Sequence, residues 1–171
     1  QGAIVVGSAM GGGFACDFGL GQPERTVALV RMGTAVTGAE GYETDEEVQE
    51  LEEAAEYALE HGNTGTANRI QAHEWLDGPY GEAGRVEGPV RELFLAMNEI
   101  HLNHPPLSEE ERPESAFDSL HTINAPTLLV VGPLDCADII ALHEDLSEEI
   151  ENAFAVVMEL SLIHISEPPR P

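Results

Sequence analysis

The chain contains no lysine: its seven basic residues are all arginine, set against 32 aspartates and glutamates in 171 residues, for a formal net charge of −25. A surface so poor in cations repels phosphate backbones and anionic bilayers, which excludes nucleic acid and membrane surfaces as partners. Cysteine is scarce as well. Cys16 and Cys136 are far apart and unpatterned, so no disulfide framework and no C-x-x-C motif is expected, and free thiols in a reducing cytoplasm are the default. No window holds eighteen consecutive apolar residues, so no transmembrane helix is expected. No basic segment leads into an apolar stretch at the N-terminus, so no signal peptide is expected either. His101 and His104 lie near each other without further ligands at zinc spacing, so neither a metal nor a bound cofactor is expected.

What is present is acid spread along the whole chain, densest at Asp45–Glu60. Acidic tails occur as local blocks; dispersed acidity without lysine is more like a salt-adapted surface, where salt screens the self-repulsion. A GC-rich genome that favours Arg, Ala, Gly and Glu codons gives the same composition.

The apolar patterning predicts a β-α-β unit at the start. Ala3–Gly7 reads as a buried strand, Ser8–Gly13 as a tight small-residue turn, Phe14–Leu20 as a helix and Thr26–Met32 as a second strand, which implies a parallel sheet. The middle is helical. Asp45–His61 has Thr44 or Asp45 to cap its start and Gly62 to end it, and Ala67–Leu76 and Pro89–His101 read as two more helices. Leu107–Ser115 reads as a polar loop. The α/β pattern then resumes with a strand at Pro126–Gly132, a helix at Ala137–Asn152 and a strand at Phe154–Glu159.

The turn between the first strand and its helix is where chemistry is expected. Gly7-Ser8-Ala9-Met10-Gly11 has the form of a nucleophile elbow, G-x-S-x-G, with alanine at the centre. In such a turn the nucleophile is held in a strained conformation, its neighbours two places away are tiny, and the next backbone N–H helps to bind the oxyanion. Ser8 is flanked at those distances by Val6 and Met10, so it reads as a small polar turn residue. Gly7-x-Ala9-x-x-Gly12 is also a loose G-x-G-x-x-G. A dinucleotide site would normally end its next strand on an acidic residue, whereas Thr26–Met32 runs out in Arg31-Met32-Gly33.

Three stretches carry a family resemblance. "IVVGSAMGGGFACDFGLGQPERTVALVRMG", "AHEWLDGP" and "INAPTLLVVGPLDCADI" together resemble, in order, the elbow, lid and triad-acid segments of the α/β-hydrolase superfamily, in particular its small lidded members. The resemblance implies an α/β fold: a parallel sheet with a helical lid insertion, the partial core at 1–38 and 120–160, the lid at 39–119. It places Ala9 at the nucleophile position, the Met10 N–H at an oxyanion donor and Asp135 at the triad acid. A helix N-cap is the plain alternative for Asp135, with Asp138 one turn on as another candidate cap.

The family's catalytic histidine follows its last strand; Ile163 falls at that place and His164 one residue later. The tail "SLIHISEPPRP" resembles translated sequencing-adapter read-through, so residues 161–171 are expected to be non-native and the chain to be a fragment truncated at both ends. Such a fragment exposes a sheet edge at Ala3–Gly7, which predicts self-association. Trp75, Phe94, Met97 and Ile100 read as core positions, or else as the lid's inner face toward an apolar substrate.

The function expected is that of a relative of serine esterases acting on small acyl substrates, inactive as written because Ala9 has no hydroxyl. A non-catalytic α/β-hydrolase-fold binding protein is the alternative, and a flavin or NAD oxidoreductase fragment is a third.

Overall fold

The computed structural model describes residues 1–42, 44–104 and 115–158. The chain divides into two compact units, Gln1–Glu43 with Arg112–Pro171, and Thr44–Glu111.

The first unit is an α/β layer. Its strands are β1 (Ala3–Ser8), β2 (Thr26–Met32), β3 (Thr127–Val131) and β4 (Ala153–Val157), and they pair in the order β1-β2-β3-β4. Every pairing is parallel. The runs AIVVGS, TVALVRM, TLLVV and AFAVV are rich in β-branched residues, which pack well on a pleated surface. Helix α1 (Met10–Gly21) packs on β1 and β2, and α5 (Ala137–Glu149) on β3 and β4.

Side-chain alternation sorts the sheet into two unlike faces. Val5, Leu29 and Leu129 point into a core shared with Cys16 on α1, Leu142 and Leu146 on α5, Leu120 from the short 3-10 segment Phe117–Thr122 and Ile123 just after it. The alternate residues stand on the other face. Ile4 there is 63% exposed, Val6 59% and Phe154 69%. Those positions are apolar for a face that nothing covers among the described residues. Close approach of α1 depends on two glycines. A Cβ on Gly12 would lie 1.9 Å from Thr34 Cγ2, and one on Gly19 2.9 Å from Leu29 Cδ1.

The second unit is helical: α2 (Glu46–Glu60), α3 (Thr64–Ala72), a π-helical turn at His73–Asp77, and α4 (Pro89–Leu102). Asp45, not Thr44, caps α2, its carboxylate accepting from the Val48 N–H at 3.0 Å, and Glu46 and Glu47 favour the positive end of the helix dipole. Asn63 caps α3, and Pro89 starts α4 where a missing N–H costs nothing. Helix α3 packs on both α2 and α4. Between α3 and α4 a buried amide network holds the register: Asn98 Nδ2 donates to Asn68 Oδ1 at 3.0 Å and to Gln71 Oε1 at 2.8 Å, and Asn68 Nδ2 donates to the Leu95 carbonyl at 2.9 Å.

Asp77 organises the loop that follows. Its side chain is fully buried and accepts from the N–H groups of Gly84 (2.7 Å) and Val86 (2.9 Å) and from Arg91 Nη1 (2.8 and 2.9 Å to its two oxygens). Its carbonyl takes two more bonds from Arg85. Burial pushes the carboxyl's pKa up, but the N–H groups of Val86 and Gly84 and the Arg91 guanidinium outweigh it and hold the pKa below its usual range.

Several expected boundaries shift. The first helix starts at Met10, not Phe14, because the turn closes in a single residue. The third helical segment begins at Thr64 and changes to π geometry at His73. Most of the expected Leu107–Ser115 loop lies outside the described residues. The reading of Trp75, Met97 and Ile100 as core is overturned: they are 47%, 62% and 72% exposed. Leu93, Met97 and Ile100 instead form a stripe along the exposed side of α4, since residues four and three apart share a face of a helix. No helix among the described residues is long and apolar enough to cross a membrane.

Candidate active site

Parallel pairing brings the carboxyl ends of all four strands to one edge. Ser8 pairs with Met32, Met32 with Val130, and Val130 with Val156, so the four strands end nearly level. The Ala9 N–H donates to the Met32 carbonyl at 3.0 Å and the Gly33 N–H to the Val130 carbonyl at 2.9 Å, which carries the ladder to the rim. At such an edge open α/β sheets assemble their functional groups.

Ala9 stands there between β1 and α1 with φ 48° and ψ −125°. It is the one non-glycine residue at positive φ among the described residues. An L-residue reaches this region only where its surroundings force it, because Cβ crowds the backbone, and the cost is of order 1–3 kcal/mol. The forcing elements are local. β1 is locked to β2 up to Ser8, α1 begins at the next residue, and the Gly12 N–H closes the turn onto the Ala9 carbonyl at 3.0 Å. Gly7 makes the turn feasible, since a Cβ there would lie 2.0 Å from the Gly11 carbonyl oxygen. Gly11 does not play the matching part expected of it: a Cβ at Gly11 meets nothing within 4 Å, and the tight contact falls on Gly12.

Met10 opens α1, so its N–H has no acceptor within the helix. Ser8 remains in the strand, exposed, one place before the strained residue.

Asp135 lies just beyond the end of β3. One strand, β2, separates β3 from β1, so the two strand axes are roughly 10 Å apart. The Asp135 carboxylate accepts from the Gly132 N–H at 2.7 Å, and the Asp135 N–H returns a bond to the Gly132 carbonyl at 3.2 Å. The loop Gly132–Asp135 is thereby closed on itself, with the carboxylate fixed beside the strand end. Burial raises the carboxyl's pKa, opposed by the Gly132 hydrogen bond. The cap position of α5 is Cys136, not Asp135 or Asp138, and the Cys136 side chain makes no cap bond. Cys16 is fully buried, and burial raises its thiol's pKa, against the pull of Arg31. His164 and the tail from Ser161 lie outside the described residues.

A cavity of about 280 Å³ opens beside the elbow, lined by Met10, Gly13, Phe14 and Asp17 of α1 and by Ala35, Val36 and Thr37 of the segment after β2. Arg31 lies behind these walls. It is 1% exposed, in β2 beside Gly7 of β1. Its Nε donates to the Gly12 carbonyl at 3.1 Å, and its Nη2 to Thr34 Oγ1 at 2.7 Å and the Ala35 carbonyl at 3.3 Å. Burial lowers the pKa of the guanidinium, offset in part by Cys16 and Asp17. Sequence reading used Arg31 only against a dinucleotide site. The signal was there: by strand alternation position 31 shares the inward face with Leu29, where a charged residue is out of place.

No protein-family model and no curated protein matches this sequence. Solved structures do match. An esterase from Exiguobacterium antarcticum aligns over 90% of this chain and 57% of its own, with TM-score 0.61 and 21% identity. An esterase from Rhodococcus sp. ECU1013 aligns over 91% and 56%, with TM-score 0.62 and 14% identity. A lipase-esterase related protein from Clostridium acetobutylicum aligns over 96% and 60%, with TM-score 0.60 and 15% identity. This chain therefore spans about 56–60% of the length of those proteins. Four parallel strands with flanking helices and the likeness to these structures agree: the chain has the α/β-hydrolase fold.

Proposed function

We propose that the chain is a serine-esterase-type α/β hydrolase disarmed at its nucleophile, a protein that keeps the elbow for a small acyl substrate but does not turn it over. The observation that carries this reading is the backbone of Ala9. A positive φ at alanine is costly. The same conformation aims a nucleophile out of the sheet edge when the residue is serine.

In the armed form a serine at position 9 attacks the acyl carbon, and the Met10 N–H binds the developing oxyanion. A histidine takes the hydroxyl proton and passes it to the leaving group, and Asp135 holds that histidine in orientation and stabilises its charged form. His164 is the one histidine in the sequence after β4; it falls one residue past the expected place and within the segment read as non-native, so it fills this role only if that segment belongs to the protein. Alanine at position 9 removes the bond-forming atom. Loss of a triad nucleophile costs on the order of a millionfold in turnover, with the remaining rate owed to the oxyanion site and binding.

Hydrolysis of a short-chain p-nitrophenyl ester tests the reading. The chain as it stands is expected to leave the ester at its background rate, and Ala9→Ser to raise the rate at least about tenfold with His164 as its base, a gain that Ala9→Ser with His164→Ala should lose, since nucleophile and base act as a unit. Turnover by the unaltered chain that falls with Asp135→Asn contradicts the disarmed reading. A folded Ala9→Ser chain with no gain takes His164 out of the base role and leaves a binding role for the same fold.

A further inference from the structure

We infer that Arg31 is a positioning residue: its guanidinium pins the first turn of α1 to the Thr34–Thr37 segment and so sets both the aim of the Met10 N–H and the width of the cavity beside it. The inference deepens the esterase-type reading of the elbow and rests on it for the meaning of the Met10 N–H, but its geometry stands independently.

The two walls of the cavity have no covalent link shorter than the whole of α1 and β2. They are joined instead from behind by one planar group. Nε reaches the Gly12 carbonyl on the α1 side, while Nη2 reaches Thr34 Oγ1 and the Ala35 carbonyl on the other. Gly13 and Ala35, each the lining residue next to or at one of these acceptors, both border the cavity, and a Cβ on Gly13 would lie 3.7 Å from the Ala35 carbonyl oxygen. Gly12 is also the residue whose N–H closes the elbow onto the Ala9 carbonyl. One chain of bonds therefore runs from Arg31 through the Gly12 peptide groups to the strained residue.

Stability is a poor reason for such an arginine. Among the described residues its guanidinium has no carboxylate in ion-pair range, and its Nη1 is buried without a hydrogen-bond partner. A buried charge held by neutral acceptors alone loses its hydration without an opposite charge to offset the loss. A fork that bonds two segments at fixed angles is what arginine supplies and lysine does not, because the ammonium is a point donor on a flexible stem. Gly12 permits the contact, since a Cβ there would displace Thr34.

The test compares the full chain with Arg31→Ala, Arg31→Lys and Thr34→Val by amide hydrogen exchange. Arg31→Ala is expected to speed exchange at least about tenfold in peptides covering the first two turns of α1 and residues 34–37, with β3 and the helical unit unchanged. Methylguanidinium at millimolar concentration should restore the slow rate; methylammonium at the same concentration should not. Arg31→Lys should resemble Arg31→Ala. Thr34→Val, which removes one acceptor and leaves the charge, should loosen 34–37 alone and keeps the test open if Arg31→Ala does not fold.

Uniform loosening of the whole unit, or equal rescue by both cations, overturns the positioning role. In an Ala9→Ser background, the rate of covalent labelling by a fluorophosphonate adds the functional arm. A parent that labels and an Arg31→Ala partner that labels at least about tenfold more slowly, with recovery in methylguanidinium, support the inference, because small misplacements of reacting groups are costly. Equal labelling of the two overturns it. A parent that does not label counts against the esterase reading, and the exchange result still decides the positioning of the two walls.

Discussion

Replacing Ala9 by glycine should make the protein more stable, although glycine usually weakens a fold. At φ 48° and ψ −125° the alanine Cβ crowds its own backbone, a strain of about 1–3 kcal/mol. Glycine removes the strain but adds freedom to the unfolded chain, at about 0.4–1 kcal/mol. The balance favours glycine by about 0.5–2 kcal/mol, or roughly 1–8 °C in melting temperature for a chain of this length. Thermal melts followed by circular dichroism read this directly. Gly33→Ala supplies the mirror control. Gly33 lies at φ +50°, next to the same strand edge, and a Cβ there should lower the melting temperature by a similar amount. Ala9→Ser should melt close to the unaltered chain, because it keeps the same Cβ. A melting temperature for Ala9→Gly at or below that of the parent would refute the argument that position 9 is under strain.

Other outcomes follow from the same geometry. Asp77→Ala strips a fully buried acceptor from two N–H groups and from Arg91, and should cost about 3–5 kcal/mol in urea unfolding; a loss under 1 kcal/mol would mean the loop holds itself. Asp135 is predicted to cost stability at neutral pH. Its pKa is raised from the ordinary 3.8, so the folded state keeps the proton to higher pH than the unfolded chain, and stability falls as pH climbs through that window. Asp135→Asn, which keeps an acceptor for the Gly132 N–H, should melt higher than the parent at pH 7 and no higher near pH 3. His143 acts in the opposite sense. Burial lowers its pKa, so stability should fall as pH drops through about 6.5, and a His143→Gln chain should lack that part of the acid loss. Finally, light scattering should find the chain self-associated through the apolar sheet face, and Val6→Lys with Phe154→Lys should shift it toward monomer; an already monomeric parent would count against that surface.

Most of the layer architecture was legible because strand periodicity is a local signal. Thr26–Met32 matched residue for residue, and the other three strands held to within two residues at each end. The tight turn after β1 was legible from Gly7 and its small neighbours, and the place of Asp135 beyond β3 from the apolar strand before it. What was not legible depends on partners distant in sequence. The importance of Gly12 comes from Thr34, 22 residues on, and not from the G-x-S-x-G spacing that pointed to Gly11. Asp77 looked like part of a lid motif, but its work is to gather Gly84, Val86 and Arg91. The exposure of Met97 and Ile100 could not be read from helical spacing, which is identical for a core stripe and an uncovered one. Arg31 was visible as an anomaly in TVALVRM, yet its meaning needed the carbonyls it reaches.

The central claim is that an esterase elbow persists around a missing hydroxyl. Intact-protein mass spectrometry after exposure to a fluorophosphonate tests it most directly, with the unaltered chain, Ala9→Gly and Ala9→Ser side by side. The account predicts a single adduct on Ala9→Ser and none on the other two. An adduct on the unaltered chain, or a folded Ala9→Ser chain that takes up no label, would contradict it.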